Sequence, residues 1–376
     1  MNNLFPKIVL ATGVLVLTLI GVEVALRLNH YDPLAEALSG RVQLVRASDS
    51  PGRGYELVPG ATGRGWGAEV SVNSYGFRGP EIERDAPGRM RLVALGDSVT
   101  FGNDLNHSLT WPAVLERELR EQGRDVDVLN LALGGYDTAQ EVATLEALGL
   151  PFQPVHVILG FCVNDVGVVS MSMETPFLAE DASDPLFTSR LFQWWHVHRF
   201  ERHQRRSLFE RNREATYAYA FAAEIDALAP EIGARVAALA ASLRGAPDED
   251  TELATRRIPA RWFASPARIG RLAHAFARLA DLRNRLGFQV TVLLIPYLEE
   301  DPGIQQGLEI VGALAESFGF ARVDPRPSFV EAGLESLRIR DEDPVHPSAR
   351  GHTLLATALV APVGTALGSA EPKAGE

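Results

Sequence analysis

The stretch VALGDSVTFG, Val93 to Gly102, decides how the chain is read. An apolar run stops at Gly96-Asp97-Ser98, and the sequence then turns polar and glycine-rich. A tight turn needs such small residues, and so does a serine presented at the rim of a sheet. Working outward, MRLVAL (90–95) reads as a strand and TWPAVLERELREQG (110–123) as an amphipathic helix ended by glycine. DVLNLAL (127–133) is a second strand, DTAQEVATLEALG (137–149) a helix opened by an Asp cap, and HVILGF (156–161) a third strand. The alternation resumes with a long helix at 265–287, strands at 289–298 and 321–324, and a last helix at 348–363. Near-continuous apolar strands separated by helices predict an α/β fold with a parallel sheet covered on both faces.

The 376 residues are 46% apolar and 22% charged, the balance of a globular protein with a sizeable core. A formal net charge of −12 argues against nucleic acid as a partner, because phosphates repel such a surface. Cys162, the single cysteine, excludes an internal disulfide and reads as buried filler. His107, His156 and His352 have no partner at recognisable spacing and read as structural, so neither a metal nor a cofactor is expected.

Residues 1–30 hold a candidate membrane anchor. From Ile8 to Val22 no residue is charged, and Val24 to Leu26 extend the run past Glu23. As a helix the stretch would span about 28 Å, close to a hydrocarbon core of about 30 Å. No small-x-small cleavage site follows closely, which favours a retained transmembrane helix over a cleaved signal. Glu23, near the interface, is expected to snorkel or to pair. Residues 31–88 read as a small strand-and-turn segment packed on the core, residues 89–363 as the main domain, and 364–376 as a flexible tail. Within the main domain, about 166–259 is too long for a plain loop and is expected to be a helical insertion. Its first part, 186–214, interleaves seven arginines with Phe192, Trp194, Trp195, Phe200 and Phe209. It reads either as an interfacial segment resting on lipid headgroups or as an excursion whose aromatics pack on the domain; the helical spacing favours packing.

In a doubly wound sheet, ligands collect at the carboxyl ends of the strands. Four short motifs lie at such ends: GDS (96–98), the Gly134-Gly135 pair, Asn164-Asp165, and DPVHPS (343–348). Their side chains suit nucleophilic acyl transfer. Ser98 needs a base to remove its proton, His346 can be that base, and Asp343 can orient the imidazole from three residues upstream. The Ser98 amide, a glycine amide at the second strand and the Asn164 side chain could form an oxyanion hole. Asp97 reads as a structural partner of the turn, and Asp341 as a second candidate for the orienting acid.

On these residues the sequence resembles the SGNH (GDSL-type) hydrolases, serine esterases named for Ser98, Gly135, Asn164 and His346 as they stand here. The resemblance covers residues 89–168 and about 264–363. It implies a flavodoxin-like three-layer α/β/α sandwich, a Ser98–His346–Asp343 triad, and an oxyanion hole of Ser98, Gly135 and Asn164. Cys162 stands where the family often has glycine, which is displaced to Gly160. The anchor followed by NSYGFRG (Asn73–Gly79) also resembles a bacterial subgroup tethered to the inner membrane with its domain outside the cytoplasm. The expected activity is hydrolysis of a carboxylic ester or deacetylation of a carbohydrate through an acyl-serine. The alternatives are O-acyl transfer to an envelope or secreted polysaccharide, and a non-catalytic assembly module that keeps the fold. The expected partners are an acylated small molecule or glycan, the membrane, and partner proteins of an envelope polysaccharide system.

Overall fold

The apolar runs at 90–96 and 156–161 form the two central strands of a five-stranded sheet, in which almost every side chain is buried. The computed structural model describes residues 4–29, 44–48, 50, 52–166, 188–195, 229–243 and 260–369. Most of the expected insertion, including Phe200 and Phe209, lies outside the described residues, as does the tail beyond 369.

Helix α1 (Leu4–Leu28) leads into two antiparallel hairpins, β1 (Val45–Ala47) with β2 (Tyr55–Leu57) and β3 (Thr62–Gly65) with β4 (Ala68–Ser71). Trp66 and Gly67 close the second hairpin, both at positive φ, as a two-residue hairpin turn requires. The main domain follows: β5 (Met90–Gly96), the one-turn helix α2 (Ser98–Phe101), α3 (Trp111–Glu121), β6 (Val126–Asn130), α4 (Thr138–Thr144) and β7 (His156–Phe161). Helix α5 (190–195) and α6 (Pro230–Ser242) belong to the insertion. Then come α7 (Pro266–Leu286), β8 (Gln289–Leu294), α8 (Pro302–Ser317), β9 (Ala321–Val323), α9 (Arg326–Ala332) and α10 (Ala349–Ser369).

All pairings in the large sheet are parallel, in the order β6-β5-β7-β8-β9. This is the doubly wound order that reverses direction between β5 and β7, so a crevice opens at their carboxyl ends. Helices α3 and α10 pack together in one layer, while α7 packs against both α4 and α8 in the other. Strands β7 and β8 are neighbours, so the 166–259 stretch is inserted between adjacent strands of a single sheet.

Several boundaries differ from the sequence reading. Strand β6 ends at Asn130, although Leu131 and Leu133 still donate backbone hydrogen bonds to β5 at Ala94 and Gly96. The helix opened by Asp137 is α-helical only to Thr144, then widens into a π-turn over Leu145–Gly149. Strand β8 stops at Leu294, and α10 runs to Ser369 with Pro362 inside it. Helix α8 carries Gly303, Gly307 and Gly312, which weaken its helical signature. Packing accounts for all three: a Cβ at Gly303, Gly307 or Gly312 would fall under 3.0 Å from Ala260, Phe263 or Arg322 respectively.

Among the described residues, two helices, Val9–Leu28 and Ala349–Gly368, are long and apolar enough to cross a membrane. The second is 44% buried, with Leu355, Leu359 and Val363 in the core, and is a core helix; the first is 0% buried. Of the insertion's aromatics, Phe192 is half-buried, and Trp194 and Trp195 are 40% and 44% exposed.

Candidate active site

The site is built where β5 ends. Asp97 caps α2: its Oδ1 accepts the Val99 amide at 2.9 Å, which fixes the turn and leaves Ser98 as the first helical residue. The other carboxylate oxygen of Asp97 lies 3.0 Å from Ser98 Oγ and accepts from Asn164 Nδ2 at 2.9 Å. One oxygen therefore ties the serine to the asparagine that follows β7. An amide nitrogen carries two hydrogens, so Asn164 retains a second one for another acceptor.

The imidazole of His346 arrives on the loop before α10. His346 Nε2 lies 2.8 Å from Ser98 Oγ, and its Nδ1 lies 2.9 Å from Asp343 Oδ2. Asp343 Oδ1 also accepts the backbone amides of Val345 and His346 at 3.0 and 3.1 Å. Burial acts to raise the Asp343 pKa, but the hydrogen bond from His346, its charge and the two amides outweigh this and bring it down to about 2. Asp343 is thus an anion at neutral pH, able to hold Nδ1 protonated and leave Nε2 free to take the serine proton. Asp341 is exposed; only its backbone carbonyl is engaged, by Arg338, so geometry selects Asp343 as the acid beside His346.

Backbone contacts hold this loop. Ile339 donates to the His346 carbonyl at 2.9 Å, Leu298 to that of Pro344 at 2.8 Å, and the Arg338 guanidinium to Leu298 O. An ion pair between Arg340 and Asp104 joins it to the loop that follows α2.

The second-strand glycines are braced from below. Gly135 has φ +83, a conformation that glycine adopts without cost. A Cβ at Gly134 would sit 3.5 Å from Ser98 Cβ, so this loop runs against the serine. The Tyr55 hydroxyl donates to Gly134 O at 2.8 Å, and the Tyr136 hydroxyl donates back to Tyr55 O. Ser98, Gly134, Asn164, Asp343 and His346 are therefore brought together from four loops.

Arg78 and Glu141 escaped the sequence reading as parts of the site, and Asp165 figured there only beside Asn164. Arg78, fully buried, donates to the carbonyls of Phe101 at 2.7 Å, Gly102 at 2.9 Å and Leu105, and lies over the Phe101 ring. It gathers the carbonyls at the end of α2. Burial pulls its guanidinium down to about 10, which is still cationic at neutral pH. The signal was the arginine of NSYGFRG, a charge flanked by Phe77 and Gly79. Glu141 and Asp165 are buried near Asp97, and both oxygens of Glu141 have no hydrogen-bond partner among the described residues. Burial comes first for both; the Asp97 and Asp137 charges add to it at Glu141, and the Glu141 and Asp97 charges at Asp165, so both carboxyls are pushed well above the ordinary range.

His352, His156 and Cys162 lie outside this chemistry. His352 Nδ1 accepts the Trp111 amide at 3.0 Å, and His156 Nε2 is 2.9 Å from Thr291 Oγ1. Burial lowers these histidines to about 3 and about 4 and pushes the Cys162 thiol well up. Among the described residues, no group of three His, Cys, Asp or Glu side chains is placed to hold a metal ion.

The five-stranded parallel sheet thus carries a serine, an imidazole and a carboxylate in hydrogen-bonded series at its switch point, in an α/β protein. The GDSL-like lipase/acylhydrolase family model matches residues 94–283, and the chain belongs to that family. It is 33% identical over 75 residues to an arylesterase of Vibrio mimicus and 32% identical over 74 residues to esterase TesA of Pseudomonas aeruginosa. Each match covers 20% of this chain; the matched stretch spans only 38% and 37% of the relatives' own lengths. A crystal structure of the lipase/acylhydrolase from Enterococcus faecalis is similar with a TM-score of 0.40 and 15% identity, covering 76% of this chain and 100% of that one.

Proposed function

We propose that this chain is a membrane-tethered serine ester hydrolase. The observation that carries the reading is the unbroken hydrogen-bond series from Ser98 Oγ through His346 to Asp343, at 2.8 and 2.9 Å. In the first half-reaction Ser98 Oγ attacks the ester carbonyl carbon while its proton passes to His346 Nε2. The carbonyl electron pair moves onto oxygen, where the Ser98 amide, the Gly135 amide and the free hydrogen of Asn164 Nδ2 stabilise the charge. Collapse of the tetrahedral species breaks the bond to the alcohol oxygen, which takes the proton from His346. Water then repeats the sequence on the acyl-serine and releases the carboxylic acid. Asp343 stays ionised throughout and steadies the imidazolium.

The same reading takes α1 as a retained span of the inner membrane, with the α/β domain outside the cytoplasm. It is supported by the exposure of α1 along Val9–Leu28 and by the contacts of Glu23 and Arg27 with residues 188–191, which a cleaved signal would forfeit.

A fluorophosphonate probe on the full chain in detergent tests the chemistry. The wild type should be labelled and should release acetate from a p-nitrophenyl ester, and Ser98→Ala should do neither. Equal labelling of both proteins refutes the mechanism. Diversion of the acetyl group to an added sugar hydroxyl would turn the assignment toward acyl transfer.

A further inference from the structure

Glu23 is the one acid in an otherwise apolar helix, and four donors meet its carboxylate. Oε1 accepts from Arg27 Nε at 2.7 Å and from the Arg190 amide at 3.1 Å; Oε2 accepts from Ser189 Oγ at 3.0 Å and from the Leu191 amide at 2.7 Å. Arg27 in turn donates to Thr188 O at 2.9 Å. Ser189 Oγ takes the next amide, that of Phe192, at 3.1 Å. The first turn of α5 is thus fastened to the last turns of α1 by contacts that satisfy both a carboxylate in an apolar helix and amides that the helix itself leaves unpaired.

This fastening fixes the height of α5. Glu23 lies five residues before the end of α1, about 7.5 Å of helical rise. If α1 spans a bilayer, that level is the boundary between headgroups and acyl chains, where tryptophan is enriched and where surface helices lie about 5–10 Å deep. Leu191, Trp194 and Trp195 share one face of α5 at helical spacing, and both indoles are exposed. Phe192 packs on Trp195 with ring centroids 5.7 Å apart. Exposed indoles on a segment tied to the end of a wholly exposed apolar helix continue that apolar surface sideways.

We propose that residues 188–195 form a membrane-interface clamp: Glu23 holds the segment at the bilayer surface, and Trp194 and Trp195 insert among the phospholipids. The clamp rests on the reading of α1 as a membrane span, and its occupant is the lipid boundary itself. It gives the domain a second attachment to the bilayer and restrains its swing about α1.

The test uses the full chain in phosphatidylcholine nanodiscs, with or without bromine on the acyl carbons nearest the glycerol. Co-elution with the discs reads the anchor; quenching of tryptophan emission reads the clamp. Bromine should quench the wild type, and Trp194→Phe with Trp195→Phe should abolish most of that quench. Glu23→Ala should reduce it while the protein stays in the disc with an unchanged circular dichroism spectrum. A disc-bound chain whose emission ignores bromine overturns the clamp and leaves the anchor standing; its indoles would then face protein. A quench that survives replacement of both tryptophans, or is unmoved by Glu23→Ala, also overturns it. A chain that does not enter discs overturns anchor and clamp together.

Discussion

Gly96 and Gly160 stand opposite each other on the neighbouring parallel strands β5 and β7, and Thr100 of α2 fills the space above both. A Cβ on either glycine would fall under 3.0 Å from the Thr100 hydroxyl. The pair lets α2, which opens at Ser98, settle on the sheet, and it explains why a glycine belongs at 160 when Cys162 occupies the position nearer Asn164. Gly160→Ala should push α2 outward, cost about 1–3 kcal/mol as overpacking does, and slow fluorophosphonate labelling. Adding Thr100→Ala, which clears the hydroxyl, should recover part of the labelling rate. Full-rate labelling of the single variant would refute this account.

Arg78 should matter to both stability and reactivity. In Arg78→Met the carbonyls of Phe101, Gly102 and Leu105 lose a buried cationic donor. A loss of about 3 kcal/mol or more is expected in denaturant unfolding, because unsatisfied buried acceptors cost about 1–3 kcal/mol each. Labelling of Ser98 should also slow at temperatures where the variant remains folded.

Asn164→Ala should lower kcat for a p-nitrophenyl ester by about 10²–10³-fold while moving KM little, since the contact forms to an oxyanion that exists only in the transition state. A change confined to KM would place Asn164 in substrate binding instead.

The two buried histidines should make the fold acid-sensitive. The folded values of His156 and His352, about 4 and about 3, lie below their ordinary 6.5, so the unfolded chain binds more protons. Their contribution is therefore complete above about pH 6.5 and is lost as pH falls through the folded values. Each adds at most about 1.4 kcal/mol per pH unit to the slope. His156→Gln should remove about one proton from the pH dependence of unfolding between pH 6 and pH 4.5, compared by chemical denaturation; an unchanged slope would show that His156 titrates normally.

The sheet was legible because strands buried on both faces are written as uninterrupted apolar runs, as at Leu92–Leu95 and Val157–Phe161. The hydrogen-bonded series of Ser98, His346 and Asp343 was legible because its members sit in short motifs at strand ends, with Asp343 and His346 three residues apart on one loop. Spacing already favoured Asp343 over Asp341, but that the loop turns Asp343 inward and leaves Asp341 exposed was not legible. Nor was Arg78, whose carbonyl partners lie 23 to 27 residues away. Helix α8 was missed because glycines chosen for close contact with Phe263 and Arg322 dilute its periodicity. Glu23 was expected to snorkel or pair; its ion pair with Arg27 is a local i,i+4 contact, but its donors at 189–191, more than 160 residues distant, were beyond any local pattern.

The hairpin layer shares a hydrophobic cluster with the loops of the site: Tyr55, Leu57, Val70 and Val72 pack with Phe101, Leu133 and Tyr136. An expression fragment trimmed to the first sheet strand would strip Tyr55 from the glycine turn and Arg78 from the end of α2. The shortest autonomous unit therefore begins upstream of Leu44, and a homologue lacking this layer must brace its serine by other means.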